Sequence, residues 1–381
     1  MTNFEKILIE LEKNNLLRKR REIDFRSGKI LKISGKEFVD FCSNDYLGFA
    51  DDKITKSAAN AAIEKWGTGA AASRLISGDL SLIRTLEEKI AEFKQTESSL
   101  VFPTGFMANL GAITALVSND DTVILDRLAH ASLVDGARLS GARLKVFPHN
   151  DIEKLDTILS KISSGKKLVL TESVFSMDGD KAPLKKLVDC CKKNDAMLLV
   201  DEAHALGVYG NGRGCVAEEN LANEVDVVVG TLSKAIGCQG GFVAGKKSLI
   251  EFLVNRARSF IYTTGINPAS AGAALVVLEE LSSNNSRVEK LWDNVNYLRE
   301  KIKNLPLIGE GPICPVMAGK SDSALALSKR LFENGFLVPA IRPPTVPKGT
   351  ARIRITISSA HTKEQLKCLA KVLTQINREK S

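Results

Sequence analysis

AMLLVDEAHALGVYGNGRG, residues 196–214, begins as a short apolar run, ends that run at Asp201 and continues into a glycine-rich segment. Similar apolar runs lie on both sides of it, separated by segments long enough for a helix: DTVILD at 121–126, RLKVF at 143–147, KKLVL at 166–170 and VDVVVG at 225–230. Such alternation is typical of βα units around a mostly parallel sheet. Residues 95–245 are therefore predicted to form the centre of an α/β domain.

The pattern changes after about residue 265. Apolar residues first recur at helical spacing, and ARIRITIS at 351–358 then alternates strictly. The isoleucines of that run are predicted to face a core, and its arginines the other side of a strand. We predict three parts: residues 1–45 as an N-terminal helix and strand segment that packs with the small domain, 46–265 as the large α/β domain, and 266–381 as a smaller α+β domain.

The composition is that of a globular chain with a substantial core. Of 381 residues, 44% are hydrophobic and 26% are charged, which excludes collagen-like, disordered and low-complexity classes. Lys and Arg exceed Asp and Glu by 53 to 45, and these charges are scattered. The net charge of +8 fits an anionic small-molecule ligand at least as well as nucleic acid. Aromatic residues are only 6% and lie mostly in apolar runs, which disfavours a nucleic-acid-binding protein.

The cysteines give no sign of a disulfide framework or a metal site. Their number is odd, seven, and they form neither a CxxC pair nor a regular spacing. Residues 1–25 alternate apolar and charged positions at helical spacing, unlike a signal peptide. No run reaches the roughly 18 apolar residues of a membrane span. We therefore predict a cytoplasmic protein without a membrane partner.

Three polar side chains lie at or just after the ends of apolar strands, in positions suited to chemistry. Asp201 and, three residues on, His204 lie where an open α/β sheet binds its ligands. Lys234, in TLSKAIG at 231–237, lies between another apolar run and a glycine-rich loop. Each has an ordinary interpretation, because Asp often caps a helix, a lone His is usually a satisfied polar residue and most lysines are solvated. A partly desolvated lysine can instead form a Schiff base with an aldehyde cofactor, and Asp201 could pair with a pyridinium nitrogen.

A third segment supplies the phosphate anchor that pyridoxal phosphate (PLP) requires. PTGFMAN at 103–109 precedes a helical pattern, so the amides of Gly105 and Phe106 are predicted to lie at a helix N-terminus, which favours an anion. Taken alone, this segment is an ordinary glycine turn into a helix. Together with Asp201 and Lys234 it indicates a PLP site.

Two competing phosphate motifs fail on their spacing. GGFVAGK at 240–246 meets part of the P-loop pattern, but Lys247 stands where Ser or Thr is needed and the glycines precede the apolar pair. GNGRG at 210–214 lacks the GxGxxG spacing and opens no helix. A P-loop ATPase and a dinucleotide-binding fold are both disfavoured.

These residues and their surrounding segments make the chain resemble the α-oxoamine synthase family, fold-type I PLP enzymes that join an amino acid to an acyl thioester. The matching segments occur in family order over essentially the whole chain: FCSNDYLGFA at 41–50, GTGAAASRLISGD at 67–79, PTGFMAN at 103–109, ESVFSMDGD at 172–180, VDEAHALGVYGNGRG at 200–214, TLSKAIG at 231–237 and IRPPTVPKGTARIRITISSAHT at 341–362. The resemblance implies a fold-type I PLP-dependent transferase with a large and a small domain.

The resemblance assigns cofactor roles to matching positions. Lys234 would carry PLP as a Schiff base and act as the general base, and Asp201 would keep the ring nitrogen protonated. His130 resembles the histidine stacked on the cofactor face, which also contacts substrate. His204 and Ser176 resemble groups around the phenolic oxygen. The remaining implied cofactor contacts are Gly105, Phe106 and Thr231, together with Thr263 and Thr264, which resemble residues that reach a phosphate across the interface of a homodimer with shared active sites.

Substrate contacts are implied in the same way. Arg342 matches the arginine that binds the amino-acid carboxylate, a role that suits its bidentate geometry. Thr345, Asn44 and Arg18 match further substrate contacts, although the run RKRR at 18–21 leaves the register of the N-terminal arginine open and is also typical of a solvated helix end.

The implied reaction is a decarboxylating condensation. RPPTVP and RKRR look most like members that join L-alanine to a pimeloyl thioester, on CoA or a carrier protein, in biotin biosynthesis, with CO2 and a free thiol released. CQGGFVAG at 238–245 resembles glycine-using relatives equally, so glycine C-acetyltransferase or another family member stays the alternative. A non-catalytic relative that only partners an active subunit is disfavoured, because Lys234 is present.

Overall fold

The computed structural model describes residues 2–379. Its strands are β1 Phe25–Ser27, β2 Ile30–Ile33, β3 Lys36–Asp40, β4 Ser98–Phe102, β5 Thr122–Asp126, β6 Arg143–Phe147, β7 Lys167–Glu172, β8 Met197–Asp201, β9 Val227–Thr231, β10 Gly241–Gly245, β11 Ile313–Gly319, β12 Phe336–Leu337, β13 Ala340–Ile341 and β14 Ala351–Thr356. Its α-helices are α1 Asn3–Lys13, α2 Lys53–Trp66, α3 Ser81–Lys94, α4 Gly105–Leu116, α5 Ala131–Leu139, α6 Ile152–Leu159, α7 Leu184–Lys193, α8 Cys215–Glu218, α9 Lys247–Arg256, α10 Arg258–Ile261, α11 Pro268–Ser283, α12 Ser286–Lys301, α13 Ser321–Glu333 and α14 Lys363–Arg378.

The chain divides into two compact units. The large unit comprises Leu47–Ser176 and Lys181–Val288. The small unit comprises the described parts of Met1–Tyr46, Met177–Asp180 and Glu289–Ser381. Within residues 2–379, no helix combines the length and the apolar character needed to cross a membrane.

A seven-stranded sheet forms the centre of the large unit, in the order β4-β10-β9-β8-β7-β5-β6. Neighbours from β9 to β6 pair in parallel, and β10 is antiparallel to both β4 and β9. Alternate residues of the inner strands, such as Leu168 and Leu170, enter one apolar core with α4, α5 and α9. The prediction of an α/β fold with a mostly parallel sheet is confirmed, and GGFVAG, which meets the P-loop pattern, forms the antiparallel β10 instead of a loop.

The small unit contains two further sheets. One has the order β1-β2-β3-β12 and the other β11-β14-β13. Every residue of β14 is buried, on the arginine side as well as the isoleucine side. Arg352 donates to the Asp178 carboxylate at 2.6 Å, and Arg354 donates to Asn44 Oδ1 at 3.1 Å. These partners explain how two arginines are accommodated inside a core strand.

The large unit ends at Val288, whereas the sequence predicts that it ends at residue 265. The reason is α11, which packs against α2 and α3. Gly272 permits this close approach, since a Cβ there would lie 2.9 Å from the Cβ of Ala62 and 3.0 Å from the carbonyl oxygen of Ala58. The apolar side of α11 is therefore buried by the large unit.

Candidate active site

The carboxyl ends of β7, β8 and β9 bring four functional side chains to one edge of the large sheet. Glu172 and Asp201 end adjacent strands and are register partners. Thr231 ends β9, and Lys234 follows three residues later. Parallel strands present their carboxyl ends at the same edge, which is where ligands bind in open α/β sheets. Together with residues of α4 and α5 they line a cavity of about 240 Å³.

The N-terminus of α4 provides an anion site at one end of this cavity. Thr104 caps the helix by accepting the amide of Met107 at 3.1 Å. The amides of Gly105 and Phe106 open the helix and line the cavity. A Cβ on Gly105 would come within 3.2 Å of the Cβ of Thr231 and 3.3 Å of its Oγ1, so glycine allows the helix end to approach that hydroxyl closely. Backbone donors, the helix dipole and a hydroxyl together suit a phosphate.

Asp201 is buried and accepts one hydrogen bond on each carboxylate oxygen. Its Oδ1 accepts the backbone N–H of Ala203 at 2.8 Å, and its Oδ2 accepts the side-chain amide of Asn109 at 2.7 Å. The side chain is only 5% exposed. The carboxylate is thereby held in one orientation at the strand end.

His130 lies beside this carboxylate and caps α5. Its Nδ1 accepts the backbone N–H of Ser132 at 3.2 Å and lies 2.8 Å from Ser132 Oγ. Burial lowers the pKa of His130; the negative charge of Asp201 opposes this shift and the positive charge of Lys234 adds to it. The ring is thus disposed to be neutral.

Glu172 is a member of the site that the sequence analysis missed. It is 2% exposed, accepts the backbone N–H of His130, and its Oε1 finds no partner among residues 2–379. Burial raises its pKa well above the ordinary range, and Asp201 raises it further while Lys234 opposes the shift. The sequence could have indicated Glu172, because the apolar run KKLVLTE ends in an acidic residue just as AMLLVD does.

Six predicted residues line the cavity: Gly105, Phe106, His130, Asp201, Thr231 and Lys234. Ser176 and His204 lie on the segments that follow β7 and β8, outside the set that lines it. Thr263 and Thr264 follow α10, where Thr264 forms an isolated bridge with Ser73. Asn109 and Ser132 line the cavity although the sequence analysis gave neither a role.

Apart from His130, the predicted substrate contacts belong to the small unit. Arg18 Nη2 donates to Thr345 Oγ1 at 3.4 Å, so these two predicted residues are neighbours. Arg342 donates to the backbone carbonyl of Asn15. Asn44 accepts from Arg354. Their roles toward a substrate stay predictions.

The residues of the cavity fit PLP. The helix N-terminus at Gly105 and the Thr231 hydroxyl suit its phosphate, Asp201 suits a protonated ring nitrogen, and Lys234 supplies an amine for its aldehyde. Glycine at position 105 lets the helix N-terminus approach the Thr231 hydroxyl closely, an approach that a side chain there would obstruct.

Comparisons with known proteins agree on the family. A model of the aminotransferase class I and II family matches residues 36–373. A curated relative from Thermoanaerobacter pseudethanolicus, named 8-amino-7-oxononanoate synthase, is 43% identical over 378 residues, which is 98% of this chain and 96% of the relative.

Two solved structures share the fold over most of the chain. A serine palmitoyltransferase variant from S. paucimobilis, with a bound PLP–myriocin aldimine, is 32% identical with a TM-score of 0.93 and covers 99% of this chain and 97% of its own. The 8-amino-7-oxononanoate synthase of Francisella tularensis is 29% identical with a TM-score of 0.78, over 90% of this chain and 98% of the solved one.

Proposed function

The chain belongs to the aminotransferase class I and II family, and on that premise we propose that it is a PLP-dependent acyltransferase that makes 8-amino-7-oxononanoate in biotin biosynthesis. L-Alanine and a pimeloyl thioester are the substrates. The bond between alanine Cα and the thioester carbonyl carbon forms, the C–S bond breaks, and the alanine carboxylate leaves as CO2. The near full-length match to relatives of that name carries the proposal, because the cavity alone supports only the cofactor.

PLP, when bound, supplies an aldehyde that joins to amines and a ring that withdraws electrons from the joined carbon. Lys234 is the amine that would hold it, at the end of β9. The amides of Gly105 and Phe106 with the Thr231 hydroxyl would bind its phosphate. Asp201 would hold a proton at the ring nitrogen, and that positive charge stabilises negative charge as it develops.

Once freed by the incoming amino acid, Lys234 Nζ would take the proton from alanine Cα and act as general base. His130 would cover the ring face and contact the substrate. His204 and Ser176 would contact the phenolic oxygen. The resemblance of the surrounding segments to the family supports each of these roles.

The substrate assignments rest on the small unit. Arg342 would bind the alanine carboxylate through its two parallel N–H groups. Asn44, Thr345 and Arg18 would complete the substrate contacts, and Arg18 already donates to Thr345. The acyl carrier is either CoA or a carrier protein.

We also propose a cytoplasmic homodimer with shared active sites. Supporting this, the large unit exposes apolar side chains on the segments near Thr263 and Gly105: Ile76 is 82% exposed, Tyr262 73% and Phe106 41%. Exposed apolar clusters of this kind favour contact with another chain. Light scattering of the purified protein measures the stoichiometry directly.

A crossed thiol-release assay tests the reaction. Acetyl-CoA, pimeloyl-CoA, a pimeloyl carrier protein and palmitoyl-CoA are each paired with alanine, glycine and serine. We expect the highest kcat/KM with alanine and a pimeloyl thioester, and loss of essentially all turnover in Lys234→Ala. Preference for glycine with acetyl-CoA would favour glycine C-acetyltransferase instead, and a Lys234→Ala protein with near-normal turnover would overturn the mechanism.

A further inference from the structure

Asn109 lies one turn into α4 from the phosphate-binding amides, and it is 2% exposed. Its side-chain nitrogen lies 2.7 Å from Asp201 Oδ2 and 2.9 Å from Ser132 Oγ. An amide nitrogen carries two hydrogens, and here each has its own acceptor. One side chain on α4 therefore connects the end of β8 with the start of α5.

The direction of these hydrogen bonds is fixed by chemistry. A carboxylate only accepts, so the nitrogen and not the oxygen of the Asn109 amide faces Asp201. Ser132 Oγ then accepts from Asn109, and its own hydrogen is left to donate to His130 Nδ1 at 2.8 Å. The backbone N–H of Ser132 donates to the same nitrogen. Nδ1 is thus an acceptor, and the ring hydrogen lies on Nε2.

The oxygen of Asn109 shows that this residue is not there for packing. Its Oδ1 is buried and has no partner among residues 2–379. A buried unpaired oxygen is costly, and leucine would fill the same space without that cost. Among residues 2–379, the two donated hydrogen bonds are the only contacts of the Asn109 side chain that require an amide.

We infer that Asn109 is a positioning residue whose two amide hydrogens orient, at the same time, the Asp201 carboxylate and the Ser132 hydroxyl that donates to His130 Nδ1. Helix α4, whose N-terminal amides are proposed to bind the phosphate, thereby also orients Asp201 and His130, the two groups proposed to hold the ring. The inference rests on the proposed function only in taking Asp201 and His130 as the groups that face PLP.

The first measurement uses the protein without cofactor. The chain has four histidines, so ¹⁵N-histidine spectra are simple, and His130→Gln identifies the signal. We expect Ser132→Ala and Asn109→Leu to move the His130 Nδ1 resonance in the same direction, because both remove the oriented hydroxyl donor. His361 is the internal control: its Nδ1 accepts the amide of Ser358 at 3.0 Å, within the small unit, and should not move.

The second measurement uses holoenzyme loaded with PLP that carries ¹⁵N in the ring. Asn109→Leu should move the ring-nitrogen resonance, because Asp201 has lost a partner, whereas Ser132→Ala should leave it in place. Asn109→Asp preserves shape but has at most one hydrogen to donate, so at least one of the two resonances must move.

The inference is overturned if Asn109→Asp moves neither resonance, or if Ser132→Ala moves the ring nitrogen as far as Asn109→Leu does. The outcome is separate from the proposed function. The histidine signals of the cofactor-free protein respond in the same way whether or not the holoenzyme releases thiol from pimeloyl-CoA.

Discussion

The buried ion pair between Lys94 and Glu202 determines how the segment after β8 is held. Lys94 Nζ contacts the Glu202 carboxylate and the carbonyl oxygen of Arg213, and the two side chains are 1% and 0% exposed. Glu202 Oε1 also accepts the backbone N–H of Val216 at 2.8 Å. Because Glu202 directly follows Asp201, this pair fastens both ends of residues 202–216 beside the candidate site.

Lys94→Met should be severely destabilising. The substitution keeps most of the volume but leaves a buried carboxylate whose cation is gone. Removing one partner of a buried pair costs about 3–5 kcal/mol, a large part of the roughly 5–15 kcal/mol that stabilises a folded domain. Adding Glu202→Gln should recover most of the loss, since Gln carries no charge and can still accept from Val216.

Urea midpoints of the large unit and hydrogen exchange at the Val216 amide measure this effect. Lys247→Met is the matched control within the large unit, because it breaks an ion pair whose side chains are 74% and 67% exposed, and it should cost almost nothing. A Lys94→Met midpoint equal to that of the control would refute the reasoning. So would a double variant no more stable than Lys94→Met alone.

Three further changes test single residues. Asp201→Asn should retain PLP but lose orders of magnitude in kcat, because an amide cannot hold the ring-nitrogen proton; unchanged turnover would reduce Asp201 to a structural role. Arg342→Ala should weaken the binding of alanine by about 2–5 kcal/mol, roughly 30- to 5,000-fold, and leave the binding of the thioester unchanged. Titration with alanine in the absence of acyl donor measures this, and an equal loss of affinity for both substrates contradicts it. Burial lowers the pKa of His361 to about 3, so the unfolded chain binds more protons below about pH 6.5, and stability should fall by about 1.4 kcal/mol per pH unit as pH drops toward 3. His361→Gln should flatten that slope in urea unfolding, and a slope equal to that of wild type would contradict the assignment.

The inner strands of the large sheet were predictable because burial on both faces leaves a continuous apolar run. The run DTVILD, at 121–126, contains all of β5, Thr122–Asp126, and every residue of that strand is buried. The strand β10 was not predicted, since its short apolar part lies between glycines. Its direction follows from the connection: residues 232–240 are fewer than the dozen or more that a parallel crossover needs, so β10 must return antiparallel.

The domain boundary was harder to predict than the strands. A helix's apolar stripe shows that it is buried but does not show which neighbour buries it. The sequence of α11 is compatible with either unit. Only the contact of Gly272 with Ala62 and Ala58 assigns it to the large unit.

The residues of the candidate site also differ in how well the sequence predicts them. Asp201, Lys234 and Gly105 were predictable, because strand ends and helix starts can be identified from local sequence. Asn109 was not, since its two acceptors come from residues 23 and 92 positions further along the chain. A polar residue inside an apolar helix indicates a buried partner, but the sequence does not identify that partner.

The charges in the cavity explain why two carboxyls can lie beside a phosphate site. Glu172 and Asp201 end adjacent strands near one lysine, and two carboxylates there would repel an anion. Burial raises the pKa of Glu172 well above its usual range, with Asp201 adding to the shift, so this carboxyl holds its proton. The cavity therefore carries less negative charge than its sequence suggests, and the amides at the start of α4 can attract a phosphate without a second carboxylate opposing them.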